Sequence, residues 1–269
     1  MQGLFRAATL RVGAATAMAI LAAVTQPASA ADGFNPVALG IGQLQAVAAL
    51  LSGTSHDKIV PGSAGDFGRL AADLFAAADP KAQGPVPADG TRLRLSVSGD
   101  RTATTDANLW GTATGDRRDA LNVPRVGMDV SLLPRTVFGV GYSQDAQGAA
   151  RLYTASLGTR IWQAGGDDNT ALDVRASYAQ LTGVSHLRLT TRSVEALLSR
   201  PWGPLRAYAG AGLVDGDARL GGRFDFASQQ TLSRLHAGGE ATLGGARLIA
   251  EVGVTGDRSW QALRLSYGF

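Results

Sequence analysis

The sequence predicts a closed antiparallel transmembrane β-barrel of about ten strands, with eight or twelve also compatible. Three observations carry this expectation. From Thr91 onward, apolar residues recur at every second position in segments of about ten residues, the repeat of a strand with one face in lipid. The links between those segments alternate between short and long, as expected of a barrel with tight turns at one end and loops at the other. After residue 30 no apolar run reaches the ~20 residues of a spanning helix, and only helices and closed barrels satisfy every backbone polar group in lipid.

The chain opens with a different grammar. Arg6 and Arg11 precede the apolar run Val12–Val24, and Ala28-Ser29-Ala30 forms a small-residue cleavage site. That order is a secretory signal peptide over residues 1–30. Its removal leaves 23 basic against 22 acidic side chains, so the high pI gives no argument for nucleic-acid binding. With no cysteine and three scattered histidines there is neither a disulfide frame nor a Cys/His metal set, and no cofactor motif is present.

Residues 31–90 form a separate helical segment and linker. Asn35-Pro36 is a helix start, followed by Val37, Ile41, Leu44, Ala48 and Leu51 on one face. Ser63-Ala64-Gly65-Asp66 resembles a capping box for a second short helix carrying Phe67, Leu70, Leu74 and Ala78. Asp79 to Gly90, rich in Pro and Gly, reads as a linker. The plainer placement is a helical pair outside the barrel on its turn side; the sharper one is a plug inside it.

The barrel itself occupies residues 91–269. Strand one covers about 91–99, with Leu93, Leu95 and Val97 outward. Strand two (124–132) turns out Val126, Met128, Val130 and Leu132; strand three (136–143) Phe138, Val140 and Tyr142; strand four (151–161) Tyr153, Ala155, Leu157 and Ile161; and strand five (171–181) Leu172, Val174, Ala176 and Tyr178. Strand six (187–198) breaks phase, because Leu187 and Leu189 lie on one parity and Val194, Ala196 and Leu198 on the other; a β-bulge near Thr191-Arg192 would repair it. Strands seven (205–214), eight (234–243), nine (246–255) and ten (259–269) complete the ring. Links are short after strands two, six and eight and a little longer after four. Asp100–Val123 and Asp215–Ser233 are the longest loops, and Gly256-Asp257-Arg258 is short against the trend.

The last nine residues, Gln261 to Phe269, place Leu263, Leu265, Tyr267 and Phe269 on one parity and end in an aromatic. This resembles the C-terminal signature of bacterial outer-membrane β-barrel proteins; only Gln261 departs from it. The resemblance implies the outer membrane of a Gram-negative envelope as location, outer-membrane lipid as surroundings and the barrel-assembly machinery as a partner in biogenesis. The turns would then be periplasmic and the loops extracellular. The segment also resembles autotransporter translocator domains, but about sixty residues between signal and barrel are too few for a usual passenger.

Inward parity collects Arg92, Arg94, Arg125, Arg160, Arg175, Arg206, Arg234, Arg247 and Arg264, with Asp129, Asp173, Glu195, Glu240, Glu251 and His236. Such a lumen charge network is what fills a small barrel, because buried charges must be paired. The inward glycines Gly127, Gly139, Gly141, Gly158, Gly210, Gly212, Gly238 and Gly253 leave open a narrow, anion-favouring passage. One cluster invites a chemical reading: a Gly244-Gly245 hairpin puts His236 and Glu240 diagonal to Glu251, and across the next hairpin Arg264 is also diagonal to it, a set suited to acid–base work. No nucleophile accompanies it in the omptin or lipid A deacylase pattern. The expected function is therefore a non-enzymatic structural element or narrow pore. The alternatives are a barrel that binds an envelope protein of an export or adhesion system, and a hydrolase using the lumen His/Glu cluster.

Overall fold

The computed structural model describes residues 61–87, 91–115, 117–144, 150–165, 169–184, 186–222 and 225–269. The expected signal peptide and the first expected helix, from Asn35, lie outside the described residues. Ten strands form the wall: β1 (Leu93–Ala103), β2 (Ala120–Leu133), β3 (Thr136–Gln144), β4 (Arg151–Gln163), β5 (Ala171–Thr182), β6 (Leu187–Trp202), β7 (Leu205–Leu220), β8 (Phe226–Leu243), β9 (Ala246–Thr255) and β10 (Arg258–Gly268). Each pairs antiparallel with its sequence neighbours, and β10 pairs with β1, which closes the barrel and leaves no free edge. Gly203, Gly244 and Gly256 take left-handed φ values of 60°, 59° and 62° in three tight hairpins, a conformation that favours glycine.

Strand parity follows the expected alternation in the lower part of the wall. Leu95, Val97, Val126, Leu157, Val194, Leu198, Leu213, Leu235, Val252, Leu263 and Leu265 are exposed on the outside, forming an apolar belt. Tyr142, Tyr153 and Tyr178 lie along its loop-side rim, with the Tyr142 and Tyr153 rings 5.3 Å apart. Trp162, Trp202, Tyr267 and Phe269 mark the turn-side rim and are exposed. These are two aromatic girdles, and the second includes two tryptophans that strand parity alone did not single out.

Above the tyrosines the pattern inverts, and this corrects two expectations. β6 contains no bulge: its pairings to β5 and β7 run without a register shift from Leu189 to Ser199 and from Leu187 to Trp202. Leu187 and Leu189 point inward because the lumen is apolar at that height, whereas Arg188, Thr190 and Arg192 face out. The segment 215–233 is not a long loop. β7 and β8 stay paired up to Leu220 opposite Phe226, with Val214, Gly216, Ala218 and Leu220 buried inside. The strands rise past the apolar belt into a collar where the pattern is reversed: polar residues go out and apolar residues go in. The 100–123 link is also shorter than expected, since β1 and β2 pair up to Ala103 and Ala120, and it carries a second helix, α2 (Ala107–Thr114).

The collar is filled by helix α1 (Ala64–Ala78). Ser63 caps its start by accepting from the Asp66 amide at 3.1 Å. Hydrogen bonds from Arg69 and Ser63 hold the Asp66 carboxyl below its ordinary range. The helix touches β1, β2, β5, β6, β7 and β8, so it lies inside the ring. Phe67, Leu70, Phe75 and Ala71 pack with Leu121, Leu152, Leu181, Leu187, Leu189 and Leu220. An alanine-rich helix is thin enough for a lumen this narrow. The Phe75 ring sits where a Cβ on Gly216 would be. The described part of the 31–90 segment is therefore a plug and does not stand outside the barrel on the turn side.

Candidate functional site: the plugged, charged lumen

Below α1 the chain continues as an extended strap, residues 79–87, down the lumen toward β1. Its backbone carries few hydrogen-bond partners of its own. Pro80, Pro85 and Pro87 have no amide to satisfy, and Ala82 and Gly84 adopt φ values of 52° and 61°. The wall supplies the partners. Arg125 Nη2 donates to the carbonyls of Ala77 (2.8 Å) and Ala78 (3.2 Å), which are unpaired ends of α1. Arg234 donates to Pro80 O at 3.0 Å, Arg175 to Gly84 O at 2.6 Å and Arg247 to Pro85 O at 2.6 Å, while Arg160 reaches Val86 O. In return the Val86 amide donates to Asp173 at 2.7 Å and the Ala82 amide to Glu251 at 3.3 Å. Five wall arginines thus read the plug's carbonyls.

Carboxylates neutralise those guanidinium groups. Arg160 bonds Asp173 at 2.9 Å, Arg175 bonds Glu195 at 3.1 Å and Arg247 bonds Glu240 at 2.7 Å. Arg125 pairs with Asp100, which also lies 3.4 Å from Lys81 Nζ. Higher up, the fully buried Asp73 on α1 accepts from Arg258 Nε (2.7 Å), Trp110 Nε1 (2.8 Å) and Thr105 Oγ1 (2.7 Å). One carboxylate therefore ties the plug to β10 and to the β1–β2 loop. Near the turn end Arg264 bonds Asp129 at 2.6 Å and Ser96 at 2.9 Å. A small polar recess remains there, lined by Gln83, Asp129, Ser156, Arg175, Arg247 and Arg264.

The centre is a hub on Arg234. Its guanidinium lies 2.6 Å from Asp79, 3.1 Å from Glu251 and 3.4 Å from Glu195, with the Trp260 ring 5.1 Å away. His236 sits between two carboxylates, its Nε2 3.2 Å from Glu195 and its Nδ1 3.3 Å from Glu251. Tyr208 donates to Glu251 at 2.8 Å. The inward glycines are seats for these bulky groups: Tyr208 is opposite Gly238, His236 opposite Gly210 and Trp260 opposite Gly253. A Cβ at any of the three would overlap the ring above it. These three glycines make room for side chains.

Of the expected lumen residues, Arg94, Arg125, Arg160, Asp173, Arg175, Arg234, His236, Arg247, Glu251 and Arg264 are buried, and Asp129, Arg206 and Glu240 are partly buried. Arg92 is not in the lumen; it precedes β1 and is exposed. His236 and Glu251 do meet, but Glu240 and Arg264 are drawn away by Arg247 and Asp129, so the expected four-residue cluster does not form. Its other members are Glu195, Arg234 and Tyr208. Asp73, Asp79, Lys81, Asp100 and Arg258 were outside the expected set. Of these Asp100 and Arg258 had a local signal, the even parity shared with Arg94 on β1 and with Arg264 on β10. Chemically, His236 with two carboxylates could move a proton, but it is 6 % exposed and packed between Tyr208 and Trp260, 6.3 and 6.0 Å away. Among the described residues no group of three or more His, Asp or Glu could hold a metal ion.

No family model matches the sequence, and no curated protein resembles it. Solved structures similar to the chain are bacterial outer-membrane proteins. The N-terminal β-barrel domain of Pseudomonas aeruginosa OprF is 15% identical and matches 65% of this chain and 97% of its own, with a TM-score of 0.35. The β domain of the Bordetella autotransporter BrkA is 12% identical over 67% of this chain and 100% of its own (TM-score 0.41). Neisserial surface protein A is 8% identical over 66% and 97% (TM-score 0.31). At such scores the likeness carries no argument about this chain, and its fold rests on the strand pairing above.

Proposed function

We propose that this chain is a bacterial outer-membrane barrel closed by its own residues 61–87, a non-enzymatic structural element that does not conduct. The observation that carries the reading is the match between wall and plug: arginines on β2, β4, β5, β8 and β9 donate to successive plug carbonyls. Backbone groups buried away from water need such partners, and a strap so held leaves no continuous aqueous path. Export through residues 1–30 and assembly through Leu263, Leu265, Tyr267 and Phe269 belong to the same proposal; the first three lie on the outer face of β10 beside β1, and Phe269 follows that strand and is exposed. The His236 cluster is assigned a packing role, because it lacks both a nucleophile and room for a substrate. Planar-bilayer recording tests this. The wild-type barrel is expected to give no stepwise conductance and to hydrolyse neither lipid nor peptide. Regular channel steps, or hydrolysis lost in His236→Ala, would refute it.

A second reading, a barrel that docks an envelope protein, is favoured by one observation. The plug descends from the loop end to the turn end, so the chain preceding Pro61 is attached at the loop end. An epitope inserted directly before Pro61 is expected to bind antibody on intact cells. Binding only after the outer membrane is opened would refute this topology.

A further inference from the structure

Four arginines stand on the outer wall just above the tyrosine girdle. Arg151 is two residues beyond Tyr153 on β4. Arg192 lies directly opposite Tyr178 across β5 and β6. Arg188 lies directly opposite Arg219 across β6 and β7. Arg151 pairs with Thr182, and Leu181 pairs with Leu189, so Thr182 stands beside Arg188. Arg151, Arg188 and Arg219 therefore share one rung around the barrel, and all four arginines are exposed.

Like charges set opposite each other destabilise a sheet unless a counter-charge joins them. Two carboxylates lie nearby: Asp217, 3.6 Å from Arg219, and Asp215, opposite Arg192. The patch remains net positive. Its neighbours are neutral, since the outward residues on β8 at the rungs of Arg219, Asp217 and Asp215 are Ala227, Gln229 and Thr231. On β10 the outward residues are Ser259 and Gln261. On β1 the outward Arg101 is matched by Asp119 at 3.5 Å, so the unmatched positive charge lies on β4–β7, at the height where tyrosines meet the headgroups.

We propose that this arginine rung binds the phosphate groups of phosphorylated lipid headgroups in the outer leaflet. A guanidinium offers paired donors to phosphate oxygens. The Arg188–Arg219 apposition becomes favourable once one phosphate bridges both, and the tyrosines below pack on the lipid beneath that phosphate. The inference rests on the outer-membrane reading, which puts the loop end outside.

The test uses the full barrel in detergent with bis-phosphorylated lipid A as probe, and with dephosphorylated lipid A and inorganic phosphate as separate arms. Wild type is expected to bind the phosphorylated lipid, to ignore the dephosphorylated one, and to bind free phosphate only weakly. Arg188→Gln with Arg219→Gln should weaken binding about 25-fold, roughly fivefold per charge. The corresponding lysine pair should restore most of it, and added salt should erode it. The outward variants keep the lumen intact, so unchanged heat-modifiability checks that each one folds. Equal binding of dephosphorylated lipid, or binding unchanged in the glutamine pair, overturns the proposal. Arg219→Cys labelling on intact cells tests the orientation separately. Label excluded until the outer membrane is opened overturns the outward-facing reading and the proposal with it. Normal labelling with phosphate-independent binding overturns the proposal alone.

Discussion

Arg234→Gln removes the guanidinium on which plug and wall converge. Arg234 faces three buried carboxylates, Asp79 at 2.6 Å, Glu251 at 3.1 Å and Glu195 at 3.4 Å, and the Pro80 carbonyl at 3.0 Å. Breaking a buried pair by deleting one partner costs ~3–5 kcal/mol, because the surviving charges lose their compensation. The glutamine amide can keep one of these hydrogen bonds, returning about 1 kcal/mol. The expected loss is therefore about 2–4 kcal/mol. Arg234→Lys should lose less, since an ammonium still compensates one carboxylate but cannot fork to several. The assay is reversible urea unfolding of the folded barrel in one detergent, with a double-mutant cycle against Asp79→Asn. Because Asp79 belongs to the plug and Arg234 to β8, a coupling of ~0.5–3 kcal/mol reports the plug–wall contact itself. A stability within ~0.5 kcal/mol of wild type, or strictly additive losses in the cycle, would refute the reasoning.

Other substitutions probe other levels of the structure. Gly216→Leu should destabilise by ~1–3 kcal/mol through overpacking against the Phe75 ring, and Phe75→Ala in the same chain should recover part of the loss; no recovery in the cycle would place Phe75 elsewhere. Asp73→Asn should weaken the tie to Arg258 and Trp110, seen as faster protease cleavage in the β1–β2 loop; an unchanged cleavage rate would contradict that tie. Leu213→Arg on the lipid belt should cost ~2–4 kcal/mol, whereas Gln229→Arg, on the outer face of β8 opposite Asp217, should change stability by less than ~0.5 kcal/mol. Equal costs in folding into vesicles would move the belt's upper edge.

The strand repeat was legible because it is local: each residue's facing is set by its own parity, and ten segments with turn residues between them define the ring. What parity cannot state is the medium on either side of the wall. Leu187 and Leu189 obey the two-residue repeat without fault; they read as out of phase only if the outer face is apolar at that height, whereas there the outer face is polar and α1 lies inside. The strap 79–87 was misread for a related reason. Prolines and glycines suit a solvated linker, and they equally suit a strand whose amides are absent or turned toward carboxylates and whose carbonyls are taken by arginines. The difference lies in partners as distant in sequence as Arg247 is from Pro85. The same holds for the site. His236 and Glu251 could be paired from hairpin arithmetic, but Glu195 reaches His236 across the intervening β7, and Asp79 reaches Arg234 from the plug, which no strand register describes.

The central claim is that residues 79–87 thread the lumen, and a disulfide tests it most directly. A Cβ added at Gly158 on β4 would stand 3.5 Å from a methyl of Val86, within the reach of a bridge between the two positions. Gly158→Cys combined with Val86→Cys should therefore oxidise spontaneously in the assembled barrel. It should give a single cross-linked species that migrates differently after reduction, while each single variant gives none. If both thiols of the folded double variant stay free and react fully with a maleimide, Val86 is not beside β4 and the lumen is not filled by this segment.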